Sequence, residues 1–117
     1  MTKYQLKRAY DPEEPTDGFR VYIDRLWPQG LSHETFHYDL WDKDIAPSNE
    51  LREWFHAEPS DRWAGFQKRY SEELATSSAF ASLKKLLATK PVVTLLFSSK
   101  NREQNNAVVV YNLLSEK

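Results

Sequence analysis

The stretch PVVTLLFSSK, residues 91–100, decides the fold class of this sequence. Between Pro91 and the Ser98-Ser99 pair lies a run of β-forming, mostly apolar residues that lacks the polar–apolar alternation of a half-exposed strand. Such a run is typical of a strand that is buried on both faces, as the interior strands of parallel sheets are. The sequence therefore predicts a central strand at this position.

Two further segments have the character of strands. Phe19–Asp24 (FRVYID) alternates, with Val21 and Ile23 on one face, and Tyr4–Ala9 alternates more weakly. A long helical region separates segment 19–24 from the run after Pro91, and such a crossover implies that these two strands are parallel. We therefore predict one α/β domain over residues 1–117, a small layered domain with a short, at least partly parallel sheet flanked by helices.

The spacing of apolar residues predicts helices in the rest of the chain. Ser48 is the expected N-cap of the second helix. The last segment is ambiguous, because the valines at 108–110 favour a strand by propensity, but its length leads us to predict a helix. The predicted helices are 32–40, 49–56, 63–74, 80–90 and 103–115.

The composition excludes several classes of function. The chain has no cysteine, so it contains no disulfide, thiolate nucleophile, zinc knuckle or iron–sulfur cluster. Its formal net charge of −1 gives no overall attraction to nucleic acid, which we do not expect as a partner. No apolar run is long enough to span a membrane, and Met1–Arg8 lacks the apolar core of a signal peptide. We therefore expect a cytoplasmic protein without a membrane partner.

Motifs for cofactors and metal ions are also missing from the sequence. Three glycines are too few and too scattered for a phosphate-binding loop. His33 and His37 are four residues apart, but two histidines alone are weak evidence for a metal site. We therefore predict neither a cofactor nor a bound metal ion.

The residues that follow the predicted strands form a candidate ligand site. If those strands are parallel, Arg25 and Trp27 emerge at the same sheet edge as Ser99 and Lys100, and open α/β sheets bind ligands in the crevice at that edge. Two positive charges, from Arg25 and Lys100, would converge there beside the N–H groups at the start of the last helix. This arrangement suits a carboxylate or a phosphate.

Structural interpretations of the same residues stay open. An aspartate followed by an arginine at a strand end is also typical of scaffolding, in which Asp24 and Arg25 tie a loop down by a charge-assisted hydrogen bond. Trp27 is of a type that is usually part of a core. Lys100 and Asn101 are also typical of a solvated loop.

Four longer motifs carry a resemblance to a known family. They are RAYDPEEPTDGFRVYIDRLWPQGLS (8–32), DIAPSNELREWFH (44–56), DRWAGFQKRY (61–70) and VTLLFSSKNREQNNAVVV (93–110). In this order and spacing they resemble the YeaO-like family of bacterial proteins, a family defined by a domain of unknown function. The resemblance covers nearly the whole chain and implies a cytosolic α/β protein. It implies little about activity.

This chain departs from the family pattern at positions that bear on chemistry. The turn that usually reads Trp-Pro-Arg-Gly has Gln29 in place of arginine, and the usual His-Asn-His-Ala segment has Gln104 and Asn106 in place of both histidines. Amide side chains form hydrogen bonds but do not exchange a proton near neutral pH, so binding is favoured over acid–base catalysis. The positions that match the family pattern are Arg8, Asp24, Arg25, Trp27, Gly30, Arg52, Lys100 and Asn105.

Two hypotheses for function follow, and in the first it stays open whether the chain also catalyses a reaction. The first is binding of a small anionic ligand at the carboxyl edge of the sheet. In it, Arg25 and Lys100 neutralise the anion, and Asp24 orients Arg25. Trp27 forms a wall of the site, Ser99 and Asn105 donate or accept hydrogen bonds, and the accessory residues are Arg8, Gln29 and Arg52. The alternative is a non-catalytic interaction module, including a homodimer, that uses the aromatic-rich segment from Trp41 to Trp63.

Overall fold

The computed structural model describes residues 2–116, and within them the chain forms a parallel sheet with helices. The sheet has four strands in the order β1-β4-β2-β3. The strands are β1 (Lys3–Arg8), β2 (Phe19–Tyr22), β3 (Leu40–Trp41) and β4 (Val92–Phe97), and the helices are α1 (Asn49–Ala57), α2 (Pro59–Ala75), α3 (Ser78–Leu87) and α4 (Asn106–Ser115). The predicted α/β class with a parallel sheet is confirmed.

Strand β4 lies in the middle of the sheet, as the apolar run predicted. It pairs in parallel with β1 on one side and with β2 on the other, so that Leu95 lies between Leu6 and Val21. The short strand β3 extends the sheet beyond β2, also in parallel. Because the strands are parallel, their carboxyl ends share one edge, where the segments after Tyr22 and Phe97 emerge side by side.

The two faces of the sheet are covered by different structures. On the face formed by Val21, Val93, Leu95 and Phe97, buried residues of α1, α2, α3 and α4 join one apolar cluster. Tyr22 and Leu96, whose side chains point the other way, pack instead with Phe36 and other residues of the connection between β2 and β3. We call these surfaces the helix face and the loop face.

The helices begin at residues that satisfy their first N–H groups. Ser48 caps α1 as predicted, its hydroxyl oxygen accepting a hydrogen bond from the Leu51 N–H at 3.2 Å. Pro59 occupies the first position of α2, where its missing N–H costs nothing. The ambiguous last segment is helical, with Asn105 as the N-cap of α4. Within residues 2–116, none of the helices has both the length and the apolar character that crossing a membrane requires.

The helix predicted over residues 32–40 is wrong. The chain makes only one turn there, closed by a hydrogen bond from the Phe36 N–H to the Ser32 carbonyl at 3.0 Å. It then becomes extended because the Asp39 N–H donates to the Arg20 carbonyl at 2.7 Å and Leu40 pairs with Val21. A strand of two residues is too short to show a period in the sequence.

Candidate functional site

A cavity of about 550 Å³ opens at the carboxyl edge of the sheet. One side, which we call the polar wall, consists of Asp24, Arg25 and lining residues between Ser98 and Asn106. The opposite side, the helix wall, comes from α1, α2 and the segment before α1. Its residues are Ala46, Pro47, Arg52, Phe55, His56, Pro59 and Phe66, and Leu26 adds to the rim.

Asp24 joins three elements of the polar wall. One carboxylate oxygen accepts hydrogen bonds from the Ser98 N–H at 3.0 Å and the Ser98 hydroxyl at 2.6 Å. The other oxygen accepts from the Asn106 side-chain amide at 2.9 Å. The ends of β2 and β4 and the start of α4 are therefore tied together by one carboxylate. The expectation that Asp24 orients Arg25 does not hold, because its hydrogen bonds go to Ser98 and Asn106.

Arg25 turns toward the helix wall instead. Its Nη2 donates to the uncharged Pro47 carbonyl oxygen at 3.1 Å. Its Nε atom is buried and, within the described part of the chain, has no hydrogen-bond partner. A buried guanidinium N–H without an acceptor is costly, so this group is under-satisfied in the structure.

Two more cations line the cavity. Arg52 on α1 and Lys100 after β4 are exposed, and neither forms a salt bridge among residues 2–116. Asp24 is the one acidic residue in the lining, and its oxygens are already occupied by Ser98 and Asn106. The local charge is therefore positive although the chain as a whole is slightly acidic.

Asn105 and Ser99 also line the cavity, and both make local hydrogen bonds. The Asn105 side-chain oxygen accepts from the Val108 N–H at 3.0 Å, and its amide donates to the Asn101 carbonyl at 2.7 Å. These contacts make Asn105 a helix cap that shapes the polar wall. The Ser99 hydroxyl oxygen accepts from the Asn101 N–H at 3.1 Å, which leaves the hydroxyl proton able to donate.

Three residues expected at the site lie outside the cavity lining. Trp27 packs on the loop face, where its ring stacks on His33 at a centroid distance of 3.8 Å and its N–H donates to the Leu31 carbonyl at 2.6 Å. Gln29 is exposed, and its carbonyl accepts from the Tyr10 hydroxyl. Arg8 lies behind the polar wall, donating from Nε to the Ser99 carbonyl at 2.8 Å.

Sequence reasoning missed the helix wall. Phe55 and Phe66 have the spacing of core residues and are indeed buried, at 5% and 2% exposure, yet they also line the cavity. His56, interpreted as a helix-end residue, lies in the last turn of α1 and lines the cavity as well. No local signal marks these positions, because the wall arises only when α1 and α2 pack together beside the end of β2.

The polar wall carries amides where the family resemblance leads one to expect histidines, and His56 on the helix wall is the one histidine that residues 2–116 contribute to the lining. The amides are those of Gln104 and Asn106. Burial, with the Asp24 carboxylate as a second cause, raises the pKa of the nearby Tyr22 hydroxyl, which keeps that phenol neutral. No group of three or more acidic or histidine side chains in residues 2–116 is arranged to hold a metal ion.

The fold and the cavity together define a small parallel α/β protein with a cationic crevice at the carboxyl edge of its sheet. The chain belongs to a YeaO-like family: residues 3–117 match the family model described as "Inactive DUF488-N3 subclade". It is 44% identical over 110 residues to "Uncharacterized protein YeaO" of Escherichia coli K12, covering 94% of this chain and 95% of the relative. It is 40% identical over 114 residues to "Uncharacterized protein Mb3100c" of Mycobacterium bovis, covering 97% and 95%. No solved structure matches the chain.

Proposed function

We propose that this protein binds a small anionic ligand, bearing a carboxylate or a phosphate, in the cavity at the carboxyl edge of the sheet, and that it does so in the cytoplasm. Open parallel α/β sheets take their ligands at this edge. The description of the matching family model as an inactive subclade agrees with binding rather than turnover. The amides at Gln104 and Asn106 agree with it too, since neither exchanges protons near neutral pH.

The observation that carries this proposal is the state of the Arg25 guanidinium. It lines the cavity with a buried Nε that lacks an acceptor within residues 2–116, and its hydrogen bond there, of 3.1 Å, goes to the uncharged Pro47 carbonyl. An anionic oxygen in the cavity would give the guanidinium a charged acceptor, and a hydrogen bond between two ionised groups is stronger than one to an uncharged carbonyl. The remaining Nη donors of the guanidinium are the ones that such an oxygen would contact.

The surroundings of Arg25 add electrostatic support. Arg52 and Lys100 contribute positive charge from the two opposite walls. The capped start of α4 adds the partial positive charge of a helix N-terminus on the same side as Lys100. These fields are strongest at low ionic strength, so the affinity for the anion should fall as salt is added.

The alternative interaction module lacks a specific supporting observation. Trp54 is covered within the chain, by Gly65 and by the Arg69 guanidinium at 4.1 Å from its ring centroid. Trp63 stacks on Phe66 at 5.9 Å. Among residues 2–116, the exposed large hydrophobic residues all lie outside the segment from Trp41 to Trp63: they are Tyr10, Leu26 and Leu86. A homodimer therefore stays a prediction, which light scattering of the purified protein tests.

Thermal unfolding in the presence of anions tests the binding proposal. Phosphate, sulfate and acetate are added at constant ionic strength, and a ligand that binds only the folded state raises Tm in proportion to RT ln(1 + [L]/Kd). We expect at least one of these anions to raise Tm of the wild type and of Arg69→Gln, which removes the same charge outside the cavity. Arg25→Gln should lose the shift. Absence of a shift with every anion, or an equal shift in Arg25→Gln, would refute the proposal.

A further inference from the structure

We infer that the ligand is an aryl carboxylate, a molecule with a flat apolar ring joined to its anionic group. This inference rests on the proposed function and adds the chemistry of the rest of the ligand. It follows from the helix wall, which binding of a bare anion would leave unused.

The centre of the helix wall is apolar and firmly anchored. The rings of Phe55 and Phe66 stack with their centroids 4.4 Å apart and their planes 24° from parallel. Both belong to the main apolar cluster of the protein, so they are held in place from behind. Ala46, Pro47 and Pro59 complete this part of the lining without a polar side-chain atom. Because the two rings are almost fully buried already, the apolar surface of this wall that a ligand would remove from water lies mainly on Ala46 and Pro59, and its removal stabilises the complex.

The size of the cavity also favours more than an inorganic ion. Cavities of roughly 300–1,000 Å³ hold ligands of drug-like size, and this one measures about 550 Å³. Phosphate or acetate, each with only a few heavy atoms, would leave most of that volume filled with water. A ring with a short acidic side chain would occupy both the cationic and the apolar part.

The cation and the apolar wall meet at one point. The Arg25 guanidinium touches the Pro47 carbonyl, and Pro47 belongs to the helix wall. A carboxylate at Arg25 would therefore direct an attached ring along the wall toward Phe55. At the rim, Leu26 is 68% exposed, and a ring entering the cavity would cover this large apolar side chain.

Calorimetric titration with three probes separates the ring from the charge. The probes are 3-phenylpropionate, propionate and the neutral 3-phenylpropanamide, each titrated at low ionic strength. We expect 3-phenylpropionate to bind the wild type on the order of tenfold more tightly than propionate, because its ring leaves water, and more tightly than the amide, because the amide has no charge for Arg25. Phe55→Leu should reduce the advantage of the ring. Phe80→Leu is the matched control, since Phe80 is equally buried, at 5% exposure, but lies outside the lining.

The outcomes distinguish this inference from the proposed function. Equal affinities for 3-phenylpropionate and propionate, both lost in Arg25→Gln, would overturn the aryl ligand and leave anion binding intact. Equal effects of Phe55→Leu and Phe80→Leu would also overturn it, because the ring would then not lie on the helix wall. If neither carboxylate binds, the aryl carboxylate is overturned, and the anion site is refuted with it when phosphate and sulfate also leave Tm unchanged. If Arg25→Gln binds both carboxylates as the wild type does, both proposals are refuted.

Discussion

The helix face and the loop face of the sheet are built from alternate residues of the same strands, yet different forces stabilise them. On β4, Leu95 enters the apolar cluster of the helix face, while its neighbour Thr94 is buried on the loop face and donates its hydroxyl to the Asp17 carbonyl at 2.7 Å. On β2, Val21 and Arg20 divide in the same way. The helix face thus depends on apolar packing, and part of the loop face on polar pairing.

The polar part of the loop face is a buried charge network. Arg20 and Asp17, each only 2% exposed, form an ion pair, and the Lys7 ammonium donates to the Asp17 carboxylate at 3.0 Å. Burial by itself would raise the pKa of Asp17, but hydrogen bonds from Lys7, the Glu14 N–H and Arg20 outweigh it and lower that pKa. The difference between the faces is therefore one of specificity: apolar contacts tolerate rearrangement, whereas a buried charge needs its partner.

The largest effect should come from breaking this network. Asp17→Asn removes the negative charge opposite Arg20 and Lys7, and an unpaired buried charge costs about 4 kcal/mol. We expect the free energy of unfolding in urea, followed by tryptophan fluorescence at pH 7, to fall by this amount. Asp61→Asn, at an exposed position on α2, is the matched control and should change it little.

The pH dependence of the same variant shows whether charge is the cause. Because the pKa of Asp17 is lower in the folded than in the unfolded state, its carboxylate stabilises the fold above the unfolded pKa of roughly 4 and loses this effect as pH falls through the folded value. The gap between wild type and Asp17→Asn should therefore narrow in acid. A gap that stays constant from pH 7 to pH 3 would mean that shape, not charge, explains the loss.

The corresponding change on the helix face should cost somewhat less and respond differently to pH. Leu95→Ala leaves a cavity in the middle of the sheet, where Leu95 is fully buried, and such truncations cost about 3 kcal/mol. Since no titrating group is involved, the loss should be the same at pH 7 and pH 4. Leu86→Ala, at a position 39% exposed on α3, is the control. If the free energy of unfolding lost in Leu95→Ala became smaller in acid, as that lost in Asp17→Asn should, the two faces would not differ in the force that stabilises them.

The same distinction explains how far the sequence predicts the fold. An apolar run marks β4 because burial on two sides selects apolar residues along the whole strand, and the helix face follows from helical spacing. The loop face leaves no such pattern. Asp17 lies only three residues before Arg20, but no pattern in the sequence shows that the two side chains are buried as an ion pair. Strand β3 is two residues long, which is too short to show a period.

The candidate site was predictable to a similar degree. Parallel strands place Arg25 and Lys100 at one edge, and the topology alone predicts this. The contact of Asp24 with Asn106 was not predictable, because the two residues are 82 positions apart and become neighbours only when α4 packs against β4. For Trp27 the sequence left two interpretations open, a wall of the cavity or part of a core; its N–H bonds to Leu31 and its ring packs on the loop face, as the core interpretation requires.

Asp24 lies at the carboxyl edge of the sheet, where its hydrogen bonds join β2, β4 and α4. Asp24→Asn should cost about 2 kcal/mol, because an amide offers only one acceptor oxygen to the donors on Ser98 and Asn106. The anion should bind more tightly at low salt, since the variant removes the one negative charge that residues 2–116 contribute to the lining. Urea unfolding and the anion titration measure the two effects. Unchanged stability would show that the tie contributes little.

The smallest effect on stability should come from replacing Arg52, so this variant tests ligand binding separately from folding. Arg52 is exposed on α1 and forms no salt bridge within residues 2–116, so Arg52→Ala should leave the free energy of unfolding within about 0.5 kcal/mol of the wild type. Its charge should still attract the anion, so Kd for the best-bound anion should rise several-fold at low salt and the difference should vanish at high salt. Arg69→Ala, also an exposed arginine but outside this cavity, should leave Kd unchanged. If both variants weaken binding equally, the anion responds to the overall charge of the protein and not to the cations that line the cavity.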